Sequence, residues 1–251
     1  MMRRWLLPLA LIALLLGLWQ VAASTGAIAN ALTLEDFLVP SPAEIAESLW
    51  ENRGLLAENA WVTLKEILLG ILCALVVGVG MAVLMHRWQL LRDAAYPLMV
   101  ASQTIPVVVI SPILLVWFGF GIGPKILIIA LVSFFPITVN ALDGLRSVDP
   151  EAVKMMRSLN ASGWQLFRRV EAPAALPSLF TGIKIAVVFS PIAAVFAEWA
   201  GSNVGLGHLI QSDLANYQVA RQFAAIAVLA AVALILIGLT ALAERRVVTW
   251  R

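Results

Sequence analysis

Only a handful of side chains in this sequence are of a type and spacing that could carry chemistry. His86 and His208 are far apart in the chain and have no cysteine or carboxylate at ligand spacing, so they make no metal-binding set. Cys73 is the single cysteine; it lies in an apolar run and is expected to be a small buried apolar residue, with no disulfide framework available. No serine sits in a nucleophile-elbow pattern. Gly119-Phe120-Gly121-Ile122-Gly123 has the outline of a phosphate-cradling loop, but no strand–helix pattern surrounds it and a tight turn is expected instead. A Walker-type phosphate loop is absent, so energy for any active process must come from another protein. The chain is therefore expected to be non-catalytic and to bind no cofactor or metal itself. What remains are polar groups inside apolar stretches: Gln103, Thr104, Ser133, Asn140, Ser190 and Glu198. Such groups are costly in lipid and tend to face a cavity or a partner, which makes them candidates for lining a pathway. Glu198, just before Trp199-Ala200-Gly201, is the foremost of these, while Lys184 lies towards the other end of the same stretch, where it can snorkel.

The elements that position these groups follow from composition. Of 251 residues, 61% are hydrophobic and 13% charged, against roughly 45–50% and about 25% in soluble domains. Apolar stretches run over 5–23, 67–85, 94–124, 126–142, 179–199 and 222–243, each near or above the ~20 residues needed to cross a bilayer. The third is too long for one span and too short for two. Its prolines Pro97, Pro106 and Pro112 predict a kinked or broken helix ending near Phe118. The expected fold is all-α and polytopic, with about six transmembrane helices: residues 1–60 supply the first helix and an acidic outer loop, and 61–251 form a core with five more. Within the loop, Ser41-Pro42 predicts the start of a short surface helix.

Basic residues in short loops are retained on the cytoplasmic side. With the N-terminus inside, that side holds Arg3, Arg4, Arg87, Arg92, Arg146, Lys154, Arg157, Arg168, Arg169, Arg245, Arg246 and Arg251, and the outer segments only Arg53, Lys65, Lys125 and Arg221. Both termini are thus expected in the cytoplasm. Val21-Ala22-Ala23-Ser24 after the first apolar run resembles a signal-peptide cleavage site. Cleavage would strand Arg245 and Arg246 outside, so a retained first helix is preferred.

The longest polar segment on the inner side is 143–178. Asp149-Pro150-Glu151 reads as an N-cap, a proline at the first helical position and an acid in the first turn, predicting a helix to about Leu159. Asn160 suits a left-handed terminus. Ser162 can cap a second helix through Trp164 and Phe167, expected to end before Pro173.

Residues 151–177 resemble the signature loop of bacterial binding-protein-dependent ABC importer permeases, Glu-Ala-Ala, three residues, Gly, nine residues, Ile, one residue, Leu-Pro. Lys154-Met155-Met156 falls on Glu-Ala-Ala, Asn160 on the glycine, Val170 on the isoleucine and Ala172-Pro173 on Leu-Pro. The spacing is kept, but Lys154 and Asn160 replace the glutamate and glycine, so no salt bridge of that glutamate carries over. Resemblance continues through Gln103-Thr104-Ile105-Pro106, Trp117-Phe118-Gly119, Phe134-Phe135-Pro136, Asp143-Gly144-Leu145-Arg146 and Glu198-Trp199-Ala200-Gly201. It is greatest to the nitrate, sulfonate and taurine class, and within it to permeases for pyrimidine precursors of thiamine.

The resemblance implies a type I importer fold in the bacterial inner membrane, with a second permease copy, two ATPase subunits that bind ATP and Mg, and an external solute-binding protein. Glu151, Lys154, Met155, Met156, Arg157, Ser158, Leu159, Asn160, Ala161 and Trp164 would form the ATPase-coupling element. Partners are those proteins and lipid, with no nucleic acid. Nitrate, sulfonate, taurine or riboflavin-type solutes are the alternatives to a pyrimidine. A stand-alone secondary transporter is the rival of another class; it would need an internal repeat and midplane ionisable groups, and neither is seen.

Overall fold

The computed structural model describes residues 2–250, with side chains for Leu7, Pro8 and 10–250; of the residues used above for orientation, Arg251 and the side chains of Arg3 and Arg4 lie outside what is described. The helices are α1 (Met2–Ser24), α2 (Ala27–Leu32), α3 (Pro42–Glu51), α4 (Arg53–Arg87), α5 (Gln89–Ser102), α6 (Val107–Phe118), α7 (Ile122–Arg146), α8 (Pro150–Ser158), α9 (Gly163–Leu166), α10 (Ala172–Gly201), α11 (Leu206–Ala215) and α12 (Val219–Val247). Among the described residues, α4, α7, the run 163–201 and α12 are long and apolar enough to cross a membrane, and α5 with α6 makes a fifth, bent span. The described apolar part of α1, Ala10–Ser24, is shorter than the ~20 residues a crossing requires.

The break in the third stretch falls at 103–106 and turns the chain by 100°. Pro106 is the N-cap of α6, whereas Pro97 and Pro112 lie inside helices. Gly119, with φ of 81°, ends α6 in a conformation that only glycine adopts readily.

The described residues divide into two compact units: those up to Val62 with Val204–Ala230, and Thr63–Asn203 with Ala231 onward. In the first, Ile45, Leu56, Leu206, Leu209, Ile210 and Ala224 form the core. Ser41 caps α3 through a reciprocal pair, its Oγ accepting from Glu44 N and its own N donating to Glu44 Oε2. Arg221 grips the buried Asp213 carboxylate with both Nε and Nη2, at 2.6–3.1 Å. Helix α11 was not foreseen, although Leu206, Leu209, Ile210 and Asp213, all buried, repeat at helical spacing.

In the second unit α7 is the most enclosed span, half buried, whereas only 11% of the apolar window of α12 is. Close approach of the helices needs small residues. A carbon added to Gly70 would lie 2.5 Å from Ile129 Cγ2, and one added to Gly182 would lie 2.6 Å from Pro136 O. Cys73, expected to be buried, is exposed; it lies on the side of α4 that carries Leu69, Leu72 and Val76 out of the packing.

Two further expectations are overturned. Lys125, assigned to an outer loop, is 5% exposed; its Nζ donates to Glu66 Oε1 at 2.8 Å and to Ser202 Oγ at 2.6 Å. The missing carboxylate lay a helix away in α4, where nothing local in the sequence marks it. The second helix of the polar segment does not stop before Pro173. Instead α9 passes through a π-turn, Phe167–Glu171, directly into α10, forming one 39-residue run. Ala172 N–H donates to Phe167 O, five residues back. That wider turn shifts the carbonyl pattern just ahead of Pro173, where an α-turn would set a carbonyl against its ring.

Gly182→Val is expected to lower the thermal midpoint in detergent, with a cost of about 1–3 kcal/mol from overpacking. Gly80→Val, whose added carbon meets no atom within 4 Å, should leave the midpoint unchanged. Lys125→Met, which strands Glu66, should cost about 3–5 kcal/mol, much of it recovered in a Lys125→Met, Glu66→Leu double variant; unfolding monitored by circular dichroism checks both pairs.

Candidate functional site

The polar segment folds as its residues dictate. Asp149 Oδ1 accepts from Glu151 N at 2.9 Å and Pro150 opens α8. Beyond Ser158 the chain reverses at Asn160, with φ of 55°, while Ala161 N donates to Met156 O. Ser162 then caps α9 with a reciprocal pair to Gln165. No residue of α8 is buried. Met155 is 62% exposed, Leu159 70% and Trp164 67%, so three large apolar side chains stand uncovered. Met156 and Ala161 are half-buried, and Glu151, Lys154, Arg157, Ser158 and Asn160 are exposed around them. Trp164 stacks on Phe167 at 5.7 Å, which fixes the indole at the base of the long run. The predicted set is spread over α8 (Glu151, Lys154, Met155, Met156, Arg157, Ser158), the turn after it (Leu159, Asn160, Ala161) and α9 (Trp164).

The polar residues of the spans do not converge. Gln103 and Thr104 lie in the break between α5 and α6, exposed. Beside them a cavity of about 300 Å³ is lined by Ser102, Gln103, Ile105, Pro106, Ile128 and Leu131. Asn140 Nδ2 donates to Pro136 O within α7. Ser190 donates to Val187 O within α10. Ser133 is fully buried in α7, its Oγ with no hydrogen-bond partner among the described residues. Glu198 is also fully buried, and its Oε1 accepts from Thr63 Oγ1 at 2.6 Å. Sequence reasoning missed its neighbours: Glu66, 1% exposed, with Lys125 and Ser202, makes a second polar contact that links α4 and the end of α10 and adds α7. The signal from Glu66 and Lys125 was a charge at the border of an apolar stretch, and Ser202 gave none. Lys184 is ion-paired with Glu244 of α12. Among the described residues no group of His, Cys, Asp or Glu is arranged to hold a metal ion.

Residues 67–249 match the family of binding-protein-dependent transport system inner membrane components. The formylaminopyrimidine transport permease of Halalkalibacterium halodurans is 32% identical, over 97% of this chain and 95% of its own. A riboflavin transport permease of Chloroflexus aurantiacus is 36% identical over 97% and 89%, and the taurine transport permease of Escherichia coli 29% over 99% and 90%. Among solved structures, an inward-facing methionine ABC transporter aligns with a TM-score of 0.66 at 20% identity, covering 79% of this chain and 97% of that one. With the broken span, the exposed α8 and these relationships together, the chain belongs to the ABC importer permeases, multi-pass and non-catalytic membrane subunits, with the type I importer fold.

Proposed function

We propose that this permease imports a neutral pyrimidine-type heterocycle, a thiamine precursor, as a homodimer in the bacterial cytoplasmic membrane with both termini inside. A separate ATPase binds ATP and Mg and seats α8 in a groove; an external binding protein delivers the solute. The observation that carries the reading is the exposure of Met155 on the capped α8, Leu159 at its C-cap and Trp164 on α9. Apolar groups of that size are adaptable contact surface, and the charged residues around them make a polar rim. Movement of α8 with the closing ATPase dimer would switch the pathway between inward and outward opening. In the first unit, Glu44, Glu47 and Glu51 line a recess of about 370 Å³ with Tyr217 and Arg221, a polar surface that suits contact with a binding protein.

A neutral solute is favoured by the cavity at the broken span, where the polar lining is a hydroxyl and an amide between apolar walls. An amide can read the polar edge of a flat ring. Sulfonates call for a charged donor, and Lys125 and Lys184 are already ion-paired. The relatives for formylaminopyrimidine and riboflavin, also flat heterocycles, are more similar than that for taurine.

The ATPase should co-purify in detergent with the wild type and be lost from a Met155→Asp, Leu159→Asp variant that keeps its melting profile; a wild type that never binds an ATPase overturns the importer assembly. In vesicles holding permease, ATPase and binding protein, ATP-dependent uptake of labelled formylaminopyrimidine should exceed that of taurine at least about tenfold, equivalent to about 1.4 kcal/mol. Riboflavin uptake in its place would support the flavin-type reading, and preferred taurine uptake would overturn a neutral solute.

A further inference from the structure

Contacts between α4 and α10 are placed near both of their ends. In the last turn of α4, His86 Nε2 lies 3.3 Å from Glu171 Oε2, at the end of the π-turn. The two side chains are 20% and 15% exposed. An Nε2–H donates to a carboxylate whether the ring is neutral or charged. The next residue, Arg87, sets its guanidinium against Gly163, 3.4 Å from where a Cβ would stand. The last turn of α4 therefore touches the segment 163–171 at its beginning and at its end. Towards the other end of α4, Thr63 Oγ1 donates to Glu198, and Lys125 bridges Glu66 to Ser202. The helices run antiparallel, tied once near the coupling element and again near Gly201.

The broken span is held differently. Every polar side-chain contact of residues 89–118 is local: Arg92 to Asp93, Ser102 to Met99 O, Gln103 to Ser102, Thr104 to Ala101 O and Ser111 to Val107 O. Among the described residues, none reaches another span. It is held by apolar side chains, in clusters shared with α4, α7 and α10, and apolar contacts slide without leaving an unpaired group behind, whereas parting a buried polar pair leaves one.

We propose that α4 and the 163–201 run form one rigid body, with His86 and Glu171 as the positioning residues that pass the displacement of α8 into α4, and that α5–α6 is the element this body moves against. The proposal rests on α8 being the ATPase-docking helix. Its test uses the permease–ATPase complex in nanodiscs, in a Cys73→Ser background. Nitroxides are placed at exposed positions: Val76 of α4 with Phe189 of α10, and Leu98 of α5 with Phe189. Pulsed EPR distances are taken without nucleotide and with ATP and vanadate. The Val76–Phe189 distance should stay fixed while Leu98–Phe189 shifts. In His86→Ala and Glu171→Ala the first distance should become mobile, and the ATP concentration for half the Leu98 shift should rise at least about fivefold, the low end of ordinary coupling between sites. His86→Gln, which keeps a donor, should restore both. A wild-type Val76–Phe189 distance that shifts as much as Leu98–Phe189 overturns the proposal, as does a His86→Ala complex indistinguishable from wild type. Absence of any stable complex overturns the docking-helix reading itself, whereas a complex that forms and shifts both distances overturns the rigid body alone.

Discussion

Hydrocarbon offers no hydrogen-bond partner, so a chain that crosses it must satisfy its own backbone, and the rest of this structure follows from that constraint. Among the described residues four spans are unbroken helices, and the fifth departs from helix only at 103–106, where turn hydrogen bonds hold the amides of Gln103, Thr104 and Ile105 beside a cavity of about 300 Å³. The same constraint governs side chains. Thr63 with Glu198, and Glu66 with Lys125 and Ser202, meet across helices because each would otherwise be an uncompensated polar group. Where no such group exists, glycines let backbones meet, as at Gly70 and Gly182.

Burial therefore separates two kinds of polar residue that look alike in sequence. Glu198 and Ser190 are fully buried in the packing of α10, while Gln103 and Thr104 stand exposed at a break. Glu198 ties α10 to α4 through Thr63 and Ser190 bonds within α10, whereas Gln103 and Thr104 face the space that a solute on the proposed pathway would enter.

The long run that begins at the coupling segment gives the fold its mechanical character. At 1.5 Å per residue its 39 residues extend roughly 60 Å, about twice the hydrocarbon thickness. One end carries the exposed Trp164 and the other meets the buried lysine. A break at Pro173 would have divided the polar segment from the span; the π-turn joins them in one continuous run.

The apolar stretches, the caps of α3 and α8, the left-handed Asn160 and the break near Pro106 were legible in the amino-acid sequence, because each depends on residues within a few positions of one another. The short capped helix at 150–158 and the reversal after it were legible as well, since their spacing is local. Other features were decided only when distant helices packed. Cys73 faces outward and Lys125 inward because rotation of α4 and α7 is set by the glycine contacts and by Glu66. Continuity through Pro173 depends on a π-turn that no residue type announces. His86 acquires Glu171 only because α4 ends beside the π-turn. Local chemistry determined which segments are helices and where they begin; pairing between segments far apart in the chain, whose energies depend on mutual burial, decided which polar residues hold the helices together and which are left to act.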